Sequence, residues 1–110
     1  MELIHEEMSN IVLLTVKGKI DIESSPELKR QVLSIVDSGK KNIYLDFSGV
    51  SFVNSSGLGA MINLLKELRK KNASMTIINP SNFIKSLFKL TQLDKIFKVY
   101  GSVEESIKNQ

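Results

Sequence analysis

The chain has 110 residues, 42% of them hydrophobic and 25% charged, with no cysteine and a formal net charge of +3. That length holds one domain, spanning residues 1–110, with enough buried surface for a single core, and the lack of cysteine excludes disulfides, thiolate metal sites and a catalytic thiol. No apolar run approaches the roughly 18 residues a membrane span needs, and the opening Met1-Glu2-Leu3-Ile4-His5-Glu6-Glu7 is too acidic and interrupted for a signal peptide; a cytoplasmic protein with no membrane partner is expected.

Leu3-Ile4-His5 reads as a short edge strand. Ile11–Val16 is a β-rich run entered through the turn-like pair Ser9-Asn10, and its near-continuous hydrophobicity predicts a strand covered on both faces. Gly18 breaks this run, and Ile20-Asp21-Ile22 leads into Ser24-Ser25-Pro26-Glu27. That segment predicts a helix start with Ser25 as cap and Pro26 at the first helical position. Leu28, Val32, Ile35 and Val36 recur at helical spacing before Ser38-Gly39 ends the element.

Ile43-Tyr44-Leu45-Asp46-Phe47 predicts the next strand, running out into a small polar turn. Beyond the turn, Ser55-Ser56 stand where a helix must begin, and Leu58, Met61, Ile62, Leu65 and Leu68 give that helix an apolar stripe ending near Asn72. Met75–Ile78 is a further strand, followed by the turn Asn79-Pro80-Ser81. Phe83, Ile84, Leu87, Phe88 and Leu90 form another helical stripe, Ile96–Val99 a last strand and Val103–Lys108 a short helix. Alternation of this kind predicts an α/β layer structure: a mixed, mainly parallel sheet of about five strands with about four helices, the first two strands pairing as an antiparallel hairpin.

The serine turn invites a test for chemistry. A nucleophile elbow requires Gly-x-Ser-x-Gly, and neither Val53-Asn54-Ser55-Ser56-Gly57 nor its neighbouring frame supplies the first glycine. The single histidine, His5, lies near the N-terminus with no evident route to a triad. A phosphate-cradling loop would need a lysine directly after its second glycine, whereas Gly57 and Gly59 are followed by Ala60-Met61-Ile62. Those glycines read instead as positions where helix and sheet pack closely.

Asp21, Glu23 and Asp46 are hard oxygen ligands, but they match no calcium loop or two-metal set; Asp46 reads as a cap of the turn that follows it. No enzyme activity, metal or cofactor is therefore expected. What remains is a polar turn at a helix N-terminus, where unpaired N–H groups and the helix dipole suit a serine cap and suit a phosphoserine equally. One cap explains only one of the two serines.

Charge is unevenly spread. Residues 1–65 carry six basic and eight acidic side chains, residues 66–98 eight basic and two acidic. Such asymmetry can mark a nucleic-acid face, but Lys66, Arg69, Lys70 and Lys71 close a helix whose dipole they complement, and no aromatic residues interleave with them. Direct nucleic-acid binding is not expected.

Phe47-Ser48-Gly49-Val50-Ser51-Phe52-Val53-Asn54-Ser55-Ser56-Gly57-Leu58-Gly59 resembles the signature of the bacterial anti-sigma factor antagonists of the STAS-domain family. Gly18-Lys19-Ile20-Asp21 is similar to that family's motif after the second strand, and Leu87–Phe97 to its C-terminal helix and strand entry, so the resemblance covers nearly the whole chain. It implies a single STAS-like domain that works as a partner switch in transcription control. The unphosphorylated antagonist binds an anti-sigma factor that is also a serine kinase. Phosphorylation of the first serine of the central helix, Ser55 here, breaks the complex, and a serine phosphatase restores it.

The same resemblance implies Ser56 as cap or polar neighbour, and a partner-binding surface formed by Asp21, Ile22, Glu23 and Ser24 together with Asn54, Ser55, Ser56, Gly57 and Leu58. Asn54 departs from the pattern, standing where the best-studied branch has aspartate; asparagine keeps the shape and hydrogen-bonding capacity and loses the charge. Oligomeric state is left open, with a monomer as the working expectation. A second reading keeps the domain and drops the switch, giving a phosphorylation-independent STAS scaffold or ligand-binding module within a signalling assembly.

Overall fold

The computed structural model describes residues 1–109. Strands β1 (Glu2–Met8) and β2 (Ile11–Ile20) form an antiparallel hairpin. There follow α1 (Ser25–Asp37), β3 (Asn42–Val53), α2 (Ser55–Lys70), β4 (Ser74–Ile78), α3 (Asn82–Leu90), a single 3-10 turn at Leu93–Lys95, β5 (Lys98–Tyr100) and α4 (Val103–Lys108). One five-stranded sheet results, in the order β1-β2-β3-β4-β5, with β2 to β5 all parallel. The sequence-derived element order, the mixed mainly parallel sheet and the opening hairpin all stand.

Strand order that follows chain order has a direct consequence. Right-handed crossovers that always step the same way place their helices on one face of the sheet. The core forms there: Val12, Leu14 and Val16 of β2, Ile43, Leu45 and Phe47 of β3 and Ile77 of β4 are almost wholly buried, together with Leu28 and Val32 of α1 and Met61, Leu64 and Leu68 of α2. Each such side chain contributes about 1.5–3 kcal/mol by leaving water. The exposed rims of α1 and α2 are joined by Lys29–Glu67 at 3.3 Å and Lys71–Asp37 at 2.8 Å.

Tyr44, between Ile43 and Leu45, points to the opposite face, where α4 covers it. Its hydroxyl meets Ser106 Oγ at 2.7 Å in a fully buried pair. Phe97 enters the core edge-on to Phe88, with ring centroids 5.6 Å apart.

Several sequence expectations are corrected. β2 is not covered on both faces: Val12, Leu14 and Val16 are buried while Ile11, Leu13 and Thr15 are only half-covered, because the short α4 leaves that side of the sheet partly open. β1 runs well past His5, its glutamates suiting an exposed edge strand. β5 starts two residues later than expected, because Ile96-Phe97 closes the 3-10 turn.

The largest difference is in β3, which does not stop at Phe47 but runs to Val53. Opposite β2, the register jumps from Thr15–Asp46 to Lys17–Gly49, and again from Gly18–Val50 to Lys19–Phe52. Each jump gives β3 one residue more than its neighbour, a β-bulge. A side chain at Gly49 would press to 2.8 Å of the Lys17 side chain, and glycine relieves that crowding.

Candidate functional site

β2 and β3 end side by side, since Ile20 pairs with Val53, so the segments that follow them emerge together at one end of the sheet. The C-terminal ends of parallel strands are where α/β sheets carry their sites. The link between the two segments runs through Ile20. Its carbonyl accepts the N–H of Asn54 at 3.3 Å, and a Cβ on Gly57 would sit only 2.2 Å from the same oxygen. Glycine at 57 is thus the condition for α2 to start this close to β2, as its sequence reading anticipated. Gly59 differs: nothing lies within 4 Å of the place its Cβ would occupy, so it packs against no part of the described chain.

The first segment, Asp21–Ser24, is held by its own side chains. Asp21 Oδ1 accepts the N–H groups of Glu23 and Ser24 at 3.0 and 2.9 Å. The Ser24 hydroxyl accepts the Asp21 N–H at 3.0 Å and donates to the Lys19 carbonyl at 2.7 Å. Hydrogen bonding from the Ser24 backbone N–H, aided by that of Glu23 and the charge of Lys19, holds the Asp21 carboxyl below its ordinary value of 3.8. Because the folded value is the lower one, stabilisation by this carboxylate is complete above 3.8 and is lost only as pH falls through the depressed value. Within this ordered loop Ile22 is 70% exposed. The cap of α1 is Ser24 rather than Ser25, which is buried at the first helical position beside Pro26.

The second segment is the start of α2. Asn54 is its cap, with extended backbone, and its Oδ1 accepts the Gly57 N–H at 2.8 Å while its carbonyl accepts that of Leu58 at 2.9 Å. Of the two roles expected for Ser56, cap or polar neighbour, the cap is therefore corrected. Asparagine at the extended position caps the helix, because a cap must sit before the first helical residue and both serines already have helical backbone.

Both serines are exposed, and among the described residues neither hydroxyl has a hydrogen-bond partner. The first-turn N–H groups of Ser55 and Ser56 are the donors that the helix leaves open. Leu58 is half-buried against the core, and Gly57 is buried. Asp46 Oδ1 accepts the Ser48 N–H at 2.9 Å, but inside β3 at its first bulge, so the turn that Asp46 was expected to cap does not form.

Of the nine residues implicated by sequence, Ile22, Glu23, Ser55 and Ser56 present exposed surface at this end. Asp21, Ser24, Asn54 and Gly57 set the shape of the two segments, and Leu58 joins them to the core. Sequence reading missed Ile20 as the residue that ties the two segments together. Its one outward sign is Gly57, a glycine four residues past the end of β3. Among the described residues no three His, Asp or Glu side chains gather as a metal site, and no helix is long and apolar enough to cross a membrane.

A family model for the STAS domain matches residues 3–106. The anti-sigma-B factor antagonist of Staphylococcus aureus is 30% identical over 89 residues, 81% of this chain and 82% of that protein. A Thermotoga maritima protein provisionally named an anti-sigma factor antagonist is 26% identical over 102 residues, 92% of this chain and 90% of its own length. The crystal structure of a Thermotoga maritima protein named in the same way superposes with a TM-score of 0.86 at 24% identity, covering 97% of this chain and 92% of that one. The Bacillus cell fate determinant SpoIIAA, solved in its phosphorylated form, shares the fold at a TM-score of 0.70 and 21% identity, with 98% of each chain covered.

Proposed function

The chain belongs to the STAS-domain family, and from that premise we propose that it acts as an anti-sigma factor antagonist, a non-enzymatic binding protein in partner-switching control of transcription. Its partner is an anti-sigma factor with serine kinase activity, bound through the Asp21–Ser24 loop, the Asn54–Gly57 turn and the adjoining face of α2. Ser55 is the phosphoacceptor, and a serine phosphatase resets it. The observation that carries this reading is the Ser55 hydroxyl: exposed, relieved of capping by Asn54, and set at the N-terminus of a long helix.

Phosphate on Ser55 brings close to two negative charges to a place the helix dipole tolerates, so the fold is retained. The surface changes instead. A dianion beside the Asp21 loop repels an acidic partner patch and cannot be desolvated by an apolar one.

The test is to incubate the protein with the serine-kinase anti-sigma factor of its own genome and ATP, then measure intact mass. One phosphate is expected on the wild type and none on Ser55→Ala. Ser55→Asp is expected to weaken binding about 100-fold, equivalent to about 3 kcal/mol. The neutral Asn54, lacking the charge of the family's usual aspartate, favours a second reading in which the domain is a scaffold independent of phosphorylation. Under it no mass is gained and Ser55→Asp binds as the wild type does.

A further inference from the structure

Ile22 has the exposure of a loop residue and the fixity of a core residue. It is 70% exposed, and of the large hydrophobic side chains only Leu90, at 83%, is more so among the described residues. An isoleucine at a loop tip gains nothing for the fold from that position. Yet the loop around it is immobilised by hydrogen bonds on both sides: Asp21 Oδ1 takes the N–H groups of Glu23 and Ser24, and Ser24 Oγ bridges the Asp21 N–H and the Lys19 carbonyl. Two residues earlier, Ile20 ties the same loop to Asn54 and Gly57. The side chain is itself β-branched and so holds few rotamers.

We infer that Ile22 is the apolar anchor of the partner interface, inserting into a hydrophobic socket on the anti-sigma factor next to the place where that protein meets Ser55. The inference rests on the reading of this end of the sheet as a partner surface, and it adds the chemistry of the contact. Interfaces draw most of their affinity from a few well-seated side chains, and a side chain ordered before binding loses little entropy on docking. Ile22 meets both conditions. Its neighbours Asp21 and Glu23 are acidic, with the Asp21 carboxylate already engaged by its own loop, so Ile22 supplies the contact that water cannot share. Ser55 lies across the Ile20 junction, which places the switch at the margin of the anchor. A phosphate there obstructs closure of the socket without touching Ile22.

The experiment measures affinity for the purified serine-kinase anti-sigma factor of the same genome by calorimetry, with thermal melting of each variant as the control. Ile22→Ala is expected to weaken binding about 30-fold, Ile22→Asp more than 100-fold, and Ile22→Leu less than threefold. Melting temperature should stay level in all three, because the residue is exposed. Ile107→Ala, which removes an equally branched side chain 59% exposed on α4, should leave affinity unchanged.

Wild-type binding with Ile22→Ala and Ile22→Asp both within twofold of it overturns the anchor and leaves the antagonist reading intact. Absence of wild-type binding overturns the antagonist reading, and the anchor with it. Equal losses at Ile22 and Ile107 also overturn the anchor, since they report general surface hydrophobicity rather than a socket.

Discussion

At the scale of single residues, Asn54 carries more of the site than either serine. Its side chain closes the first turn of α2, which frees Ser55 and Ser56 to face solvent. Aspartate would make the same hydrogen bond and add a charge favourable to the helix dipole. Asn54→Ala is expected to lower stability by about 1 kcal/mol, whereas Asn54→Asp should match or slightly exceed the wild type, both read from urea unfolding. If Asn54→Ala were neutral, the cap would be water-replaceable and the first turn of α2 frayed. In sequence, Asn54 stands out only as a departure from a family pattern. Its structural role was not legible there, because two serines in a row suggest that one of them is the cap, and the choice depends on which residue first takes up helical backbone.

At the scale of elements, the two glycines of α2 look alike in sequence and act differently. Gly57 lies against the Ile20 carbonyl and admits no side chain, while Gly59 faces open space. Gly57→Ala is therefore expected to destabilise the protein by about 1–3 kcal/mol or more, and Gly59→Ala to stabilise it by about 0.5–1 kcal/mol. Chemical denaturation of both variants provides the comparison, and a common sign would contradict the packing described. The helices themselves were legible, because their apolar periodicity is strong. Which side of a stripe meets the core was less so. In α3, Ile84 and Phe88 are buried while Phe83 and Leu90 are 60% and 83% exposed, yet all four belong to one apolar arc. Periodicity reports an arc and not its centre.

At the scale of the whole molecule, sequential strand order places α1 to α3 on one face of the sheet and leaves the other to the six-residue α4. The tie between α4 and the sheet is the buried Tyr44–Ser106 hydrogen bond. Tyr44→Phe leaves the Ser106 hydroxyl without its partner and is expected to cost about 1–2 kcal/mol. It should also speed amide exchange in α4 ahead of global unfolding; equal exchange throughout would mean that α4 is held by other contacts. Fold class and the mixed, mainly parallel sheet with its opening hairpin were readable from alternating strand and helix patterns, whereas the strand order was not. The candidate site could be proposed from sequence because its residues cluster in two short motifs, and the contact between those motifs was not readable, since it runs through a backbone carbonyl.

The two bulges of β3 bear on how this surface can vary. Its inward residues Ile43, Leu45 and Phe47 are spaced by two, then Val50 and Val53 by three, as each bulge inserts one residue. The strand thus keeps time in two rhythms, and its bulges set the bend with which it delivers Asn54 and Ser55 to the sheet's end. Substitution at an exposed, unpaired position such as Ser51 leaves that bend alone. Removal of the same residue takes out the second bulge: Val50 and Val53 then stand two apart, both still inward, and the strand loses the bend and added twist with which it brings the serines beside the Asp21 loop. Between Phe47 and Val53 the exposed letters are therefore free to change, while Gly49 and Val50 are held by packing and the bulges by the path of the strand.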